Sequence, residues 1–119
     1  MCFSDYGYAE LAYTLLLRKE YPSWLYPVTK GATTIWEHWD GIMEDGGFWS
    51  ADMNSFNHYA YGSVADWVYQ KAAGIHTAED APAMPFIRFA PVPDVRLSWL
   101  TASLQTRHGL VESGWRQED

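Results

Sequence analysis

Along the first part of the chain, apolar residues fall at Tyr8, Leu11, Ala12, Leu15 and Leu16, the i, i+3, i+4, i+7, i+8 spacing of one helix face. The spacing predicts a helix over 8–21, with Asp5 as its cap and Pro22 as its stop, because the residue before a proline is pushed out of the α region. A short helical turn is expected over 23–28, ahead of the Lys30-Gly31 break. A second helix is predicted over 63–73, with Val64, Trp67, Val68 and Ala72 on one face, Ser63 as cap and Gly74 just past the end. Trp67, on that stripe, reads as core.

Between 31 and 62 the periodicity fades. Gly, Asp and Asn become frequent among Trp36, Trp39, Phe48 and Trp49, and the stretch reads as long ordered loops, which in a compact domain are usually functional. Residues 76–85 form a polar linker. After Pro85 the period changes from 3.6 to 2: Phe86-Ile87-Arg88-Phe89 alternates, and segments 97–105 and 110–117 flank the turn-like Thr106-Arg107-His108-Gly109, predicting a β-hairpin. Trp99 and Trp115 are expected to pack between sheets. The predicted class is α+β, a helical part over 1–78 and the first strands of a β part over 79–119. An unpaired strand edge at the end of the hairpin would be a liability unless more sheet follows, so the chain reads as cut rather than finished.

Composition narrows the function classes. The 119 residues are 48% hydrophobic and 19% charged, which excludes a disordered tail, and no apolar run approaches the roughly 20 residues that cross a bilayer. No membrane partner is expected. Fifteen acidic residues against eight Lys and Arg give a formal charge of -7, so the attraction to phosphate on which nucleic-acid binders rely is missing. The single cysteine, Cys2, forms no internal disulfide, and the first residues have neither the basic nor the apolar stretch of a signal peptide. A native start here implies the cytoplasm; a start further upstream leaves the periplasm or secretion open. The unusual feature is the aromatic content, 17% with seven Trp, which points to a heavy aromatic core or to flat apolar faces offered to a ligand such as a sugar.

Thr33-Thr34-Ile35-Trp36-Glu37-His38-Trp39-Asp40 is the densest cluster. A carboxylate flanked by two indoles sits in surroundings that disfavour its charged form and improve it as a proton acceptor. Glycoside hydrolysis uses such a group with a second carboxyl about 5 to 5.5 Å away for retention or about 6.5 to 9.5 Å for inversion. The residues alone leave a second reading open, in which Glu37 caps a helix or pairs with an arginine. The second cluster, Asn54-Ser55-Phe56-Asn57-His58-Tyr59-Ala60-Tyr61, offers donors to hydroxyl groups from Asn54, Asn57 and His58 and apolar faces from Phe56 and Tyr59, or in the bland reading a structural hydrogen bond from His58. Asp40, Glu44, Asp45 and Asp52 lack the spacing of a calcium loop, and His38, His58 and His76 lack that of a zinc site. No metal and no cofactor are expected.

Gly31 to Asp40, followed by Met53-Asn54-Ser55-Phe56-Asn57-His58-Tyr59-Ala60-Tyr61-Gly62-Ser63-Val64-Ala65-Asp66-Trp67, strongly resembles the bacterial α-L-rhamnosidases of glycoside hydrolase family 78. The likeness extends to Gly7-Tyr8-Ala9-Glu10-Leu11-Ala12-Tyr13, Tyr21-Pro22-Ser23-Trp24, Pro91-Val92-Pro93-Asp94-Val95-Arg96-Leu97 and Trp115. It implies the last helices of an (α/α)6 barrel followed by the start of a β-sandwich, in enzymes several times longer than this chain. It also implies an inverting hydrolysis of rhamnose-containing glycosides, with Glu37 as general base, His58 contacting the rhamnose, and Trp36 or Trp39 covering its CH face or wedging the loop against the barrel wall. Two departures stand out: His38 where many relatives have arginine, and a general-acid glutamate that lies upstream of this chain. The alternative class is a small non-catalytic carbohydrate-binding or interaction protein derived from that family. On the first reading, helix faces without their barrel neighbours are expected to drive homo-oligomerisation.

Overall fold

The computed structural model describes residues 2–77 and 86–118, and the chain divides into two compact units, Met1–Val64 and Ala65–Asp119.

The first unit opens with α1 (Cys2–Asp5), α2 (Ala9–Leu17) and α3 (Leu25–Thr29). Asp5 ends α1 instead of capping α2, which follows Tyr8 without a side-chain cap. α2 also stops at Leu17, where Arg18 turns extended, well short of Pro22. Beyond Leu17 no apolar residue recurs before Tyr21, and residues 18–21 are exposed, so nothing anchors another turn to the core.

The buried stripe of α2 is rotated from the predicted one. Tyr13 is fully buried, with Ala9, Ala12, Leu16 and Leu17 half-buried beside it, while Tyr8, Leu11 and Leu15 are exposed. The helix is apolar almost all round, so spacing alone does not say which face wins; the large Tyr13 ring does. Ahead of α3, buried Ser23 accepts the Tyr26 N–H on its Oγ at 3.0 Å, satisfying one of the free donors of the helix's first turn. The remaining chain runs as irregular backbone to a 3-10 turn at Ala60–Ser63, as the lost periodicity predicts.

The second unit begins in α4 (Val64–Trp67), which widens into a π turn over Val68–Ala72 closed by Ala73 N–H to the Val68 carbonyl at 2.8 Å. Trp67 and Ala72 are buried and Val64 and Val68 half-buried, the predicted stripe. Gly74 follows at φ 71, the left-handed conformation that ends a helix. Strand β1 (Ile75–Thr77), which overlaps the start of the expected linker, pairs antiparallel with β2 (Ile87–Phe89), Ile75 facing Phe89. The rest of that linker lies outside the described residues.

The hairpin is present as β3 (Trp99–Thr106) and β4 (Gly109–Arg116), with Thr106 opposite Gly109. Thr106 Oγ1 accepts the His108 N–H at 3.1 Å and donates to the Gly109 carbonyl at 2.9 Å, closing the turn. Trp99 corrects an expectation. Leu100 sits opposite Trp115, which puts Trp99 on the other face. Trp99 is 62% exposed, whereas Trp115 donates from Nε1 to the Ala72 carbonyl at 2.8 Å and Ser113 Oγ donates to the Ala73 carbonyl at 2.6 Å. Trp115 thus docks on the end of the helix and not between sheets.

Candidate functional site

The two clusters singled out by composition lie side by side in the first unit. Thr34 Oγ1 donates to the Phe56 carbonyl, the Glu37 N–H donates to the Ser55 carbonyl at 2.9 Å, and the His58 N–H donates to the Ile35 carbonyl at 2.7 Å. Segments 34–37 and 55–58 therefore run against each other through backbone bonds. Neither is a regular strand, yet their polar backbone groups are paired as burial demands.

Glu37 is half-buried between two anchored neighbours. Trp36 is 4% exposed and meets Phe56 edge-on, with ring centres 5.0 Å apart. His38 lies flat on Trp49, with ring centres 3.7 Å apart and planes 16° from parallel. The chain then turns: Gly41 N–H donates to the His38 carbonyl at 3.1 Å, and the Gly41 carbonyl accepts both the Trp49 N–H at 3.2 Å and Asn54 Nδ2 at 2.7 Å. A Cβ at Gly41 would stand 3.2 Å from Asn54 Oδ1, Phe56 and Trp36, so a residue without a side chain suits the crossing. Residues 42–48 fold back as a tight loop bridged at Ile42 and Phe48, with Gly46 at φ 85 and Asp45 Oδ1 accepting the Gly47 N–H at 2.8 Å. Asp45 thus serves a turn.

Trp39 stacks on Tyr61 with ring centres 4.5 Å apart and meets Trp24 edge-on at 5.5 Å. Trp24 Nε1 donates to the Tyr61 carbonyl at 2.9 Å, while Trp39 Nε1 is buried with no hydrogen-bond partner among the described residues. Tyr26 donates its hydroxyl to the Ile42 carbonyl at 3.0 Å. Burial, and then the charges of Glu44, Asp40 and Asp45, push that phenol above its ordinary value and keep the donor proton in place.

His58 is half-buried, its ring parallel to that of exposed Tyr59. Its Nδ1 lies 3.3 Å from the Ala60 N–H and accepts from it. In the neutral ring the proton then sits on Nε2, leaving a donor free to meet a hydroxyl oxygen. Asn57 is exposed beside it. The backbone pairing places the segment that carries the Glu37 carboxylate beside the one that carries the His58 imidazole, with the Trp36–Phe56 ring pair between the two segments. Asn54, expected as a donor to a hydroxyl, instead gives its Nδ2 to the Gly41 carbonyl. Two contributors escape a reading by residue type, Trp49 and Thr34, and for Thr34 its place in the first dense motif is the available signal. Trp49 had none beyond being aromatic.

The chain matches the model of the bacterial alpha-L-rhamnosidase six-hairpin glycosidase domain over residues 1–72. It is 45% identical over 114 residues to an alpha-L-rhamnosidase of Streptomyces avermitilis, covering 96% of this chain and 11% of that protein. To one of Formosa agariphila it is 41% identical over 109 residues, covering 92% of this chain and 12% of that protein. Among solved structures, it resembles the Streptomyces avermitilis alpha-L-rhamnosidase complexed with L-rhamnose at a TM-score of 0.88 and 42% identity, over 98% of this chain and 11% of that one. The native enzyme of Aspergillus terreus gives 0.85 and 34%, over 96% and 13%. The chain thus spans about a ninth of the length of the relatives it matches.

Proposed function

The chain belongs to the bacterial alpha-L-rhamnosidase six-hairpin glycosidase family, and from that membership we propose that it is the base-bearing part of an inverting α-L-rhamnosidase acting on terminal α-L-rhamnose of glycosides or polysaccharides. The observation that supports this reading best is the backbone pairing of 34–37 with 55–58, which sets the segment of Glu37 against that of His58.

Glu37, ionised, takes a proton from a water as the water's oxygen bonds to the anomeric carbon. The glycosidic bond breaks on the opposite face, and its oxygen receives a proton from a second carboxyl outside these 119 residues. Inversion needs about 6.5 to 9.5 Å between the two groups, enough for the water. His58 holds a sugar hydroxyl through Nε2–H. Trp36, buried on Phe56, takes the wedging role, and Trp39 takes the same role against Tyr61 and Trp24. Asn57 adds an exposed amide for a second hydroxyl.

Proton NMR of the full-length protein acting on an aryl α-L-rhamnoside tests the stereochemistry. β-L-Rhamnose appearing first, before mutarotation, is the expected result. α-L-Rhamnose appearing first would mean a covalent intermediate and a nucleophile in place of a general base.

A further inference from the structure

We propose that His38 is a positioning residue for Glu37, acting through its stack on Trp49. The inference rests on the reading of Glu37 as general base, and goes beyond it by naming what holds that base in place.

Glu37 is fixed from three directions. Its own N–H is tied to the Ser55 carbonyl at 2.9 Å. The preceding residue, Trp36, is locked inward on Phe56. The following residue, His38, has no such burial, and its anchor is the face of Trp49 at 3.7 Å. Trp49 can serve as an anchor because its own backbone is held, its N–H donating to the Gly41 carbonyl that Asn54 also binds. The stack thus closes the turn 38–41 from the side-chain direction, as the Gly41 N–H to His38 carbonyl bond closes it along the backbone.

Without the stack, the turn after Glu37 keeps only its backbone closure, and the carboxylate moves with the backbone it shares. Displacement of a reacting group by about 1 Å costs about 10²-fold in rate. What the stack requires is a flat ring at position 38, not an ionisable one. A planar group of another chemistry can replace the imidazole, whereas a flexible side chain of similar size cannot, because it gives up the parallel face-to-face contact.

The test uses the full-length protein with His38→Phe, His38→Met, Trp49→Ala and Glu37→Gln, reading kcat and KM separately on an aryl α-L-rhamnoside and recording a thermal midpoint for each. The expectation is that His38→Phe keeps kcat within about threefold of wild type, while His38→Met and Trp49→Ala lose about 10- to 100-fold in kcat with KM changed by less than about threefold. Phe and Met are both apolar and of similar volume, so their comparison holds even if removing the side chain altogether prevents folding. Equal kcat for His38→Phe and His38→Met, whether both high or both low, overturns the stacking inference while a crippled Glu37→Gln leaves the base in place. An active Glu37→Gln overturns the base itself, and this inference with it.

Discussion

The backbone N–H of Glu37 lies 2.9 Å from the carbonyl of Ser55. That one bond joins a loop rich in indoles to the loop that carries His58, and it orients neither side chain by itself. Orientation comes from what flanks it: Trp36 inward on Phe56, and His38 flat on Trp49. A catalytic carboxylate needs this kind of support, since rate depends on holding the reacting atoms in near-attack geometry.

Gly74→Ala should be far more damaging than Gly46→Ala, although both glycines have positive φ, 71 and 85. A Cβ at Gly74 would run into the backbone of Ala90 and Pro91, whereas at Gly46 it meets nothing within 4 Å. The left-handed conformation costs a non-glycine residue about 1–2 kcal/mol, and overpacking adds about 1–3 kcal/mol. Denaturant midpoints of the two variants should therefore differ by roughly the second amount, with Gly46→Ala the milder. Equal losses would mean that the Ala90-Pro91 backbone yields freely.

Asp94 makes stability depend on pH. Its carboxylate accepts from Arg96 Nε and Nη2, both at 2.6 Å, and from the Arg96 N–H at 3.0 Å. The Arg96 side-chain hydrogen bonds hold it below its ordinary value near 4, against the burial that pushes it up. A lowered folded-state value means the stabilisation is complete above the ordinary value and lost as pH falls through the folded one. The Asp94 carbonyl also accepts Gln117 Nε2 at 2.7 Å, so the turn fastens the residue just past β4. Asp94→Asn should lower the urea midpoint at pH 7, and the gap to wild type should close as pH falls below about 4. A gap that stays constant down to pH 3 would show that the charge contributes nothing.

The isolated 119-residue chain should associate and should not hydrolyse rhamnosides. Tyr8, Leu11 and Leu15 on and beside α2, together with Phe48, Met53 and Trp99, are exposed, and apolar patches beyond a few hundred Å² recruit a partner or aggregate. One carboxylate cannot also protonate the leaving oxygen on the opposite face. Light scattering at micromolar concentration should give a dimer or larger species. A compact monomer that cleaves aryl rhamnosides unaided would favour a small self-sufficient protein.

How much of this was legible in the sequence depends on the range of the contact. The Val64, Trp67, Val68, Ala72 stripe and the Thr106 to Gly109 turn are local, and period and turn chemistry found both. The buried face of α2 differs from the predicted one because Glu10 and Thr14 are its only polar side besides the Tyr13 hydroxyl, too narrow to fix which apolar flank turns inward. Strand β1 was missed because Ile75-His76-Thr77 is too short to show alternation and draws its order from Phe89 and Ile87 across the chain. Glu37 and His58 were named from residue type and from resemblance to the family. That their segments are paired, and that Trp49 backs His38, are long-range facts that no local spacing encodes.

The most direct test of the central claim is the turnover of the Glu37→Gln variant in the full-length protein. Glutamine keeps the size and the hydrogen-bonding capacity of the side chain but cannot accept the proton. kcat on an aryl α-L-rhamnoside should fall by about 10² to 10⁴, the range of a lost general base, with KM within a few-fold of wild type. Retention of more than about a tenth of wild-type turnover would contradict it and make Glu37 a structural loop residue.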